Sequence, residues 1–477
     1  MRKICMRYAI VVIGLCLLVM SAYADGAPVF RDVSVHDPSI IKAEDGYLYI
    51  FGSHMAAART KDLMRWEIIS TNAGRGCKLV DNVQEQMKEA LEWAQTDTFW
   101  APDVCRLNDG RYYMYYCCCR GDSPLSAMGV AVSDNVQGPY KDLGVFLKSG
   151  MVGKSEDGTS YNATVHPNVV DPNVFYDENG ILWMVYGSYS GGIFILKMDP
   201  DTGFPYPGQG YGKKLLGKNH SRIEGPYILY SPQTEFYYLF LSFGGLDVNG
   251  GYNIRVCRSK NPDGPYLDAL GQDMIMCGGP AGSFFDDAAI APYGVKLMGG
   301  YQFQALDGEN SKAEPAYRSP GHNSAIYDPD TGKYFLVFHT RFLSTGNYHA
   351  VRVHQFYFNE NGWPVVTPYR YAGETIESIE ANSATGVYKM ICHGKDINIE
   401  HHASQTVKLH PDGNISGDIS GTFQSRGDNN MEIVIGGETY KGIFVKAFDN
   451  QQNQWVITFT ALSDKGEAIW GSKSTAP

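Results

Sequence analysis

One short pattern recurs along this chain, at Asp37-Pro38-Ser39-Ile40-Ile41, Ala101-Pro102-Asp103-Val104, Asp171-Pro172-Asn173-Val174 and Glu224-Gly225-Pro226-Tyr227-Ile228. Each copy opens a run of β-branched and aromatic residues, followed by a polar turn and a second apolar run. A fifth copy, Gly321-His322-Asn323-Ser324-Ala325-Ile326, carries a histidine where three of the others carry an acid. The turns Glu44-Asp45-Gly46, Asn108-Asp109-Gly110, Asp177-Glu178-Asn179-Gly180 and Asp328-Pro329-Asp330-Thr331-Gly332 lie between alternating apolar runs, a hairpin signature. Pro38, Pro102, Pro172 and Pro226 are 64, 70 and 54 residues apart, and Asn323 lies 97 further on. Such intervals fit four-stranded units with insertions of variable length, and five hairpin starts predict a five-bladed β-propeller over residues 25–372.

The rest of the chain frames that core. Residues 373–477 change character to short alternating strands, among them Thr406–Leu409, Met431–Ile435, Ile443–Ala447 and Trp455–Leu462, and predict a separate small β-barrel or sandwich. Asp81–Trp93 carries the one amphipathic helix pattern. At the amino terminus Arg2, Lys3 and Arg7 precede the apolar run Ile10–Met20 and the small-residue site Ala22-Tyr23-Ala24, which predicts a signal peptide over residues 1–24, cleaved near Ala24. The chain is therefore expected to be exported, periplasmic or secreted, without a membrane span. Losing that leader removes three cations and no acid, taking the formal net charge from −11 to −14. An acidic surface disfavours nucleic acid and anionic lipid as partners. Eight of the ten cysteines lie beyond the leader at spacings that form no disulfide framework, and buried free thiols are expected. A monomer is expected.

In a propeller the innermost strands line a central channel, so matched positions on different blades face one another. Asp37, Asp171 and Glu224 then converge, as glycoside hydrolysis requires of a proton donor and a water-activating base. A third acid nearby raises the donor's pKa. An Asp before Pro is by itself a common turn former, but turn formation does not account for acids at the same phase of three repeats. The Gly187–Gly192 segment lacks the Lys-Ser/Thr ending of a phosphate loop, and no G-x-S-x-G elbow occurs.

The segments VHDPSII, FWAPDV, VVDPNVFYDENGILWMVYGSYSGG, SRIEGPYI and SPGHNSAI together resemble glycoside hydrolase family 43, and SPGHNS with the appended β domain is most similar to its endo-α-1,5-L-arabinanases. The resemblance implies an inverting hydrolase acting on arabinan, with Asp37 as general base, Asp171 as pKa modulator and Glu224 as general acid. It further implies that His322 binds a calcium ion in the channel with water completing the shell. Calcium ordinarily seeks several oxygen ligands, so from the residue alone a hydrogen-bonded channel histidine is the favoured reading, and the resemblance turns it towards the ion. Trp100, Asn168, Ser188 and Tyr189 flank the repeats and are candidate sugar contacts, Trp100 through its flat face. An exo-acting arabinofuranosidase or β-xylosidase of the same family, and a non-catalytic arabinan-binding propeller, are the alternatives.

Overall fold

Each repeated segment forms or opens the innermost strand of one antiparallel sheet. In this computed structural model, which describes residues 27–476 apart from 75 and 312–314, the leader expected over residues 1–24 lies outside the described residues. Blade one runs Ser39–Lys42, Leu48–Gly52, Ala56–Thr60 and Glu67–Ser70. Blade two runs Phe99–Arg106, Tyr112–Cys119, Ser126–Ser133 and Lys141–Ser149; blade three runs Asn173–Tyr176, Leu182–Tyr186, Ile193–Met198 and Lys213–Leu216. Blade four comprises Ile223–Ser231, Phe236–Phe243, Asn253–Ser259 and Val295–Met298, and blade five Tyr317–Asp328, Lys333–Phe342, His349–Phe358 and Pro364–Val366. Each inner strand contacts the next, and the fifth returns to the first, closing a five-bladed propeller. The hairpin turn glycines Gly46, Gly110, Gly180 and Gly332 all take positive φ, the torsion these turns require.

Polar side chains tie the inner strands together across the blades. Ser39 Oγ donates to Asp103 Oδ1. The other carboxylate oxygen of Asp103 accepts from Asn173 Nδ2 (3.2 Å) and the Val174 N–H (2.6 Å). Asn173 Oδ1 in turn accepts the Ile228 N–H at 2.9 Å, and Ser324 Oγ donates to the Pro38 carbonyl at 2.7 Å. Asp103 is thus the fourth acid of the repeat, and it joins blade two to blades one and three. Burial pushes its carboxyl above the ordinary range against the pull of those donors.

The predicted helix over Asp81–Trp93 is two short ones, Val83–Gln86 and Lys88–Ala94, because the backbone breaks at Met87 (φ −100°, ψ 25°). Together they bury Val83, Met87, Ala90, Leu91 and Ala94 against blades one and two. The cysteines among the described residues are all unpaired, and Cys117, Cys118, Cys119, Cys257 and Cys277 are buried.

After the propeller, eight strands close into a barrel: Gly386–Cys392, Gln405–Leu409, Asn414–Gly417, Gly421–Gly427, Asn430–Ile435, Glu438–Asp449, Gln454–Ser463 and Ala468–Lys473. Strand alternation sorts its side chains. Tyr388, Met390, Leu409, Ile433, Phe444 and Phe459 fill the interior. Outward-facing Ile443, Val445, Ala447, Leu462 and Trp470 join one core with Tyr301, Phe303, Phe356, Trp363 and Val365 of the propeller. The barrel also sends His402–Ala403 onto the fifth blade's sheet, parallel to Tyr301–Gln302. At the same junction Lys389 Nζ lies 3.1 Å from Glu309 Oε2 and 3.2 Å from Asp449 Oδ2, with all three side chains essentially inaccessible. Barrel and propeller therefore meet through one shared apolar core. His401 and His402 lie at the same junction: Arg318 Nη1 is 3.1 Å from His401 Nδ1, and His402 Nε2 is 3.2 Å from Asp396 Oδ1.

Candidate active site

The residue before the repeat's proline phase has the same unusual backbone in four blades. Asp37 (φ 56°), Asp171 (φ 57°), Gly225 (φ 58°) and His322 (φ 45°) all lie in the left-handed region, which costs a non-glycine residue energy and recurs at functional sites. In the fourth blade glycine occupies that position and the acid stands one residue earlier, which explains the offset of Glu224 in the sequence. Ala101, at the same phase of blade two, brings no carboxylate, but its N–H donates to Ser53 Oγ (2.9 Å), which in turn donates to Asp37 Oδ2 (2.5 Å). Bulges at Trp100–Asp103, Glu224–Tyr227 and Arg318–Ser324 aim the remaining segments.

Asp37, Asp171 and Glu224 are buried and close enough to perturb one another electrostatically. Three imidazoles surround Asp37. His36 Nδ1 lies 2.7 Å from Oδ2, and His322 Nδ1 and His339 Nδ1 lie 3.1 and 3.6 Å from Oδ1. The Asp37 N–H donates to His339 Nδ1 at 3.2 Å, so that nitrogen acts as an acceptor. Burial alone would raise the Asp37 carboxyl, but the histidines, His322 first and then His36, hold it well below the ordinary range. Glu224 is fixed from both sides: Ser188 Oγ donates to Oε2 (2.7 Å) and Tyr252 Oη to Oε1 (2.9 Å). Burial raises its pKa and the Asp37 charge adds to the rise, against the pull of those two hydroxyls. Asp171 accepts the Gly225 N–H at 3.2 Å. Burial first, then the charges of Glu224 and Asp37, push it well up. The site thus sets one carboxyl held low against two that are pushed up.

His322 and the Asp37 carboxylate beside it are the groups that could hold a cation. Burial lowers the imidazole pKa and favours the neutral ligand form. Its neighbour Asn323 is buried with both amide atoms unpartnered among the described residues. Another constellation lies on the same carboxylate: donor atoms of His36, Asp37 and His339 all fall within 4.8 Å of one another.

Comparison with known proteins was decisive for the family. The sequence model described as glycosyl hydrolases family 43 matches residues 27–286, more than half of the chain. The chain belongs to glycosyl hydrolases family 43. A second model, a C-terminal lipocalin-like domain, matches residues 368–471 of this family 43 chain. The extracellular endo-α-(1→5)-L-arabinanase 2 of Bacillus subtilis (strain 168) is 58% identical over 453 residues, 95% of each chain. A crystal structure of a family 43 glycoside hydrolase from Bacillus licheniformis superposes with a TM-score of 0.91 at 57% identity, covering 94% of this chain and 100% of that one. The endo-1,5-α-L-arabinanase of Thermotoga petrophila RKU-1 gives 0.89 at 50% identity, covering 94% and 99%.

In this family 43 propeller the residues expected at the sugar have varied surroundings. Ser188 is buried and engaged with Glu224. Trp100 is half-buried, its Nε1 donating to Thr98 Oγ1 (3.1 Å) and its ring lying over Gly121, where a Cβ would stand 2.9 Å from it. Asn168 Oδ1 accepts from Ser126 Oγ (2.5 Å), and Tyr189 Oη donates to the Gly244 carbonyl (3.1 Å). Sequence reasoning missed His36, His339, Ser53 and Tyr252. His36 had a signal, adjacency to Asp37. Tyr252 and His339 arrive from the third strand's approach in blade four and the second strand of blade five, and no local motif marks them.

Proposed function

We propose that this protein is an inverting endo-hydrolase of α-1,5-linked L-arabinan. The observation that carries this reading is the unequal electrostatic treatment of three buried carboxylates at matched blade positions, in a chain closely similar to proteins named endo-arabinanases. In the proposed reaction Asp37, ionised, takes a proton from a water as its oxygen bonds to the anomeric carbon. Glu224, protonated, gives its proton to the glycosidic oxygen as the carbon–oxygen bond breaks, releasing the reducing-side chain. Asp171 keeps the Glu224 proton in place through like-charge proximity and orients it through Gly225. Attack opposite the leaving group inverts the anomeric centre.

A calcium-type ion at His322, with water completing its shell, would supply a fixed positive charge beside Asp37. The residues 1–24 would direct export, in keeping with the extracellular naming of the Bacillus subtilis relative. No helix among the described residues is long and apolar enough to cross a membrane.

A time course on debranched arabinan, beet arabinan and xylan, with and without chelator, tests the reading. Mixed arabino-oligosaccharides appear early from debranched arabinan, and chelator slows their release. Arabinose alone from the first time point refutes endo action, and release of xylose products only refutes the substrate. Glu224→Gln and Asp37→Asn each lower turnover by about 10²–10⁴-fold with an unchanged circular dichroism spectrum.

A further inference from the structure

An exposed aromatic cluster stands beside Glu224 and is unaccounted for by the chemistry above. Phe284 and Phe285 are 64% and 48% exposed, high values for two consecutive phenylalanines on a surface rather than in a core. They form a continuous aromatic cluster with two neighbours. Phe284 stacks on His220 (4.2 Å between centroids, 26°), and Phe285 meets Phe284 (4.9 Å, 70°) and Tyr189 (5.6 Å, 69°) edge to face. Burial lowers the His220 pKa, which favours the neutral ring.

The cluster is built rather than incidental. Phe285 holds a left-handed backbone (φ 53°), as do Tyr189 (φ 46°) and His220 (φ 55°), a costly choice for aromatic residues. What holds Phe285 there is the next turn: the Asp287 N–H returns to the Phe285 carbonyl (3.0 Å), and Arg222 grips both oxygens of Asp287, Nε at 2.9 Å from Oδ1. The cluster is also tied to the acid. The Tyr189 N–H donates to the Ile223 carbonyl (2.9 Å), next to Glu224, and the His220 N–H to the Ser190 carbonyl (2.9 Å). Arg222 and Ile223 immediately precede Glu224, so the cluster and the proton donor share one short stretch of backbone.

We propose that Phe284 and Phe285, continued by His220 and Tyr189, form a stacking platform for arabinose residues on the leaving-group side of the scissile bond. The inference rests on the proposed arabinan cleavage. Glu224 protonates the leaving oxygen, so surface adjoining Glu224 faces the chain that departs, the side of the polysaccharide that ends in its reducing terminus. Flat apolar rings beside polar anchors are what a furanose ring with one apolar face packs against. Because this contact is remote from the reacting carbon, it strengthens binding of long chains and leaves the chemical step alone.

The experiment measures kcat/KM across arabinotriose to arabinohexaose and debranched arabinan for the parent, Phe284→Ala, Phe284→Ala/Phe285→Ala and the conservative Phe284→Tyr, with oligosaccharides labelled at the reducing end. The double variant loses about tenfold in kcat/KM on the polymer, keeps the parent value on the shortest oligosaccharide that is cleaved, and cuts nearer the labelled end. Phe284→Tyr restores most of the loss. An equal drop at every chain length, or unchanged cut positions, overturns the proposal while the parent's arabinan cleavage stands. If the parent protein cleaves no arabinan, the functional reading fails and this inference with it.

Discussion

Replacing Tyr252 by phenylalanine removes one of the two hydroxyls that donate to the Glu224 carboxylate and leaves its ring in place. The donated bond is 2.9 Å long, and the partner bond from Ser188 is 2.7 Å. A hydrogen bond to a charged group contributes about 1.5–3 kcal/mol, and one pKa unit corresponds to about 1.4 kcal/mol. Both hydroxyls favour the ionised form, so losing one raises the acid's pKa by about one unit. The other charges acting on Glu224 are Asp37, which raises it, and His36, which lowers it; neither is altered. The alkaline limb of the kcat/KM profile, which belongs to the Glu224–Asp171 pair as a unit, therefore moves up by about one pH unit. The acid limb, set by the depressed Asp37, stays where it is. Ser188→Ala moves the alkaline limb in the same direction. A profile on arabinan across the full working range decides the matter. A stationary or downward-shifted alkaline limb, with turnover lost equally at every pH, would falsify the view that Tyr252 tunes the acid.

Three further outcomes follow from the geometry. Asp171 has a folded pKa above its unfolded value, so its contribution to stability is present below the unfolded pKa and is lost as pH rises towards the folded one. Asp171→Asn therefore raises Tm by about 1–3 °C near neutral pH, with the gain vanishing near pH 3; calorimetry at the two pH values checks it. Lys389→Ala strands Glu309 and Asp449 as buried charges, and denaturant unfolding should show a loss of about 3–5 kcal/mol. Gly321→Ala puts a Cβ 2.2 Å from the Tyr252 ring; activity falls and the alkaline limb shifts as in Tyr252→Phe, because the ring is pushed off Glu224.

The repeat made the propeller legible because five copies of one local pattern, each a hairpin with its own turn residues, encode five inner strands. It also located the three acids and His322, since all four sit at a phase that can be counted along the chain. The supports were not legible to the same degree. Ser53 and Ala101 form a relay between blades one and two, and Tyr252 reaches Glu224 past Gly321 on another blade. Such contacts depend on which faces the closed ring brings together, and spacing along one chain does not record that. Ser188 illustrates the same limit: its place beside the third repeat can be counted, but its bond to the acid of the fourth appears only in the closed ring. Asp103 was visible in the pattern, but its function as a tie between three blades emerges only once Ser39 and Asn173 are seen to meet it.

The core shared by barrel and propeller has a consequence for how the chain matures. Residues through Val366 contain every strand that closes the ring of five blades, yet Tyr301, Phe303, Phe356, Trp363 and Val365 share their core with strands that end at Lys473. A growing chain therefore displays a broad apolar flank on its last two blades until nearly its final residue has been made. The late-arriving barrel works as a built-in cover for that flank, and a chain halted between the two units would carry a finished catalytic ring together with a surface prone to self-association.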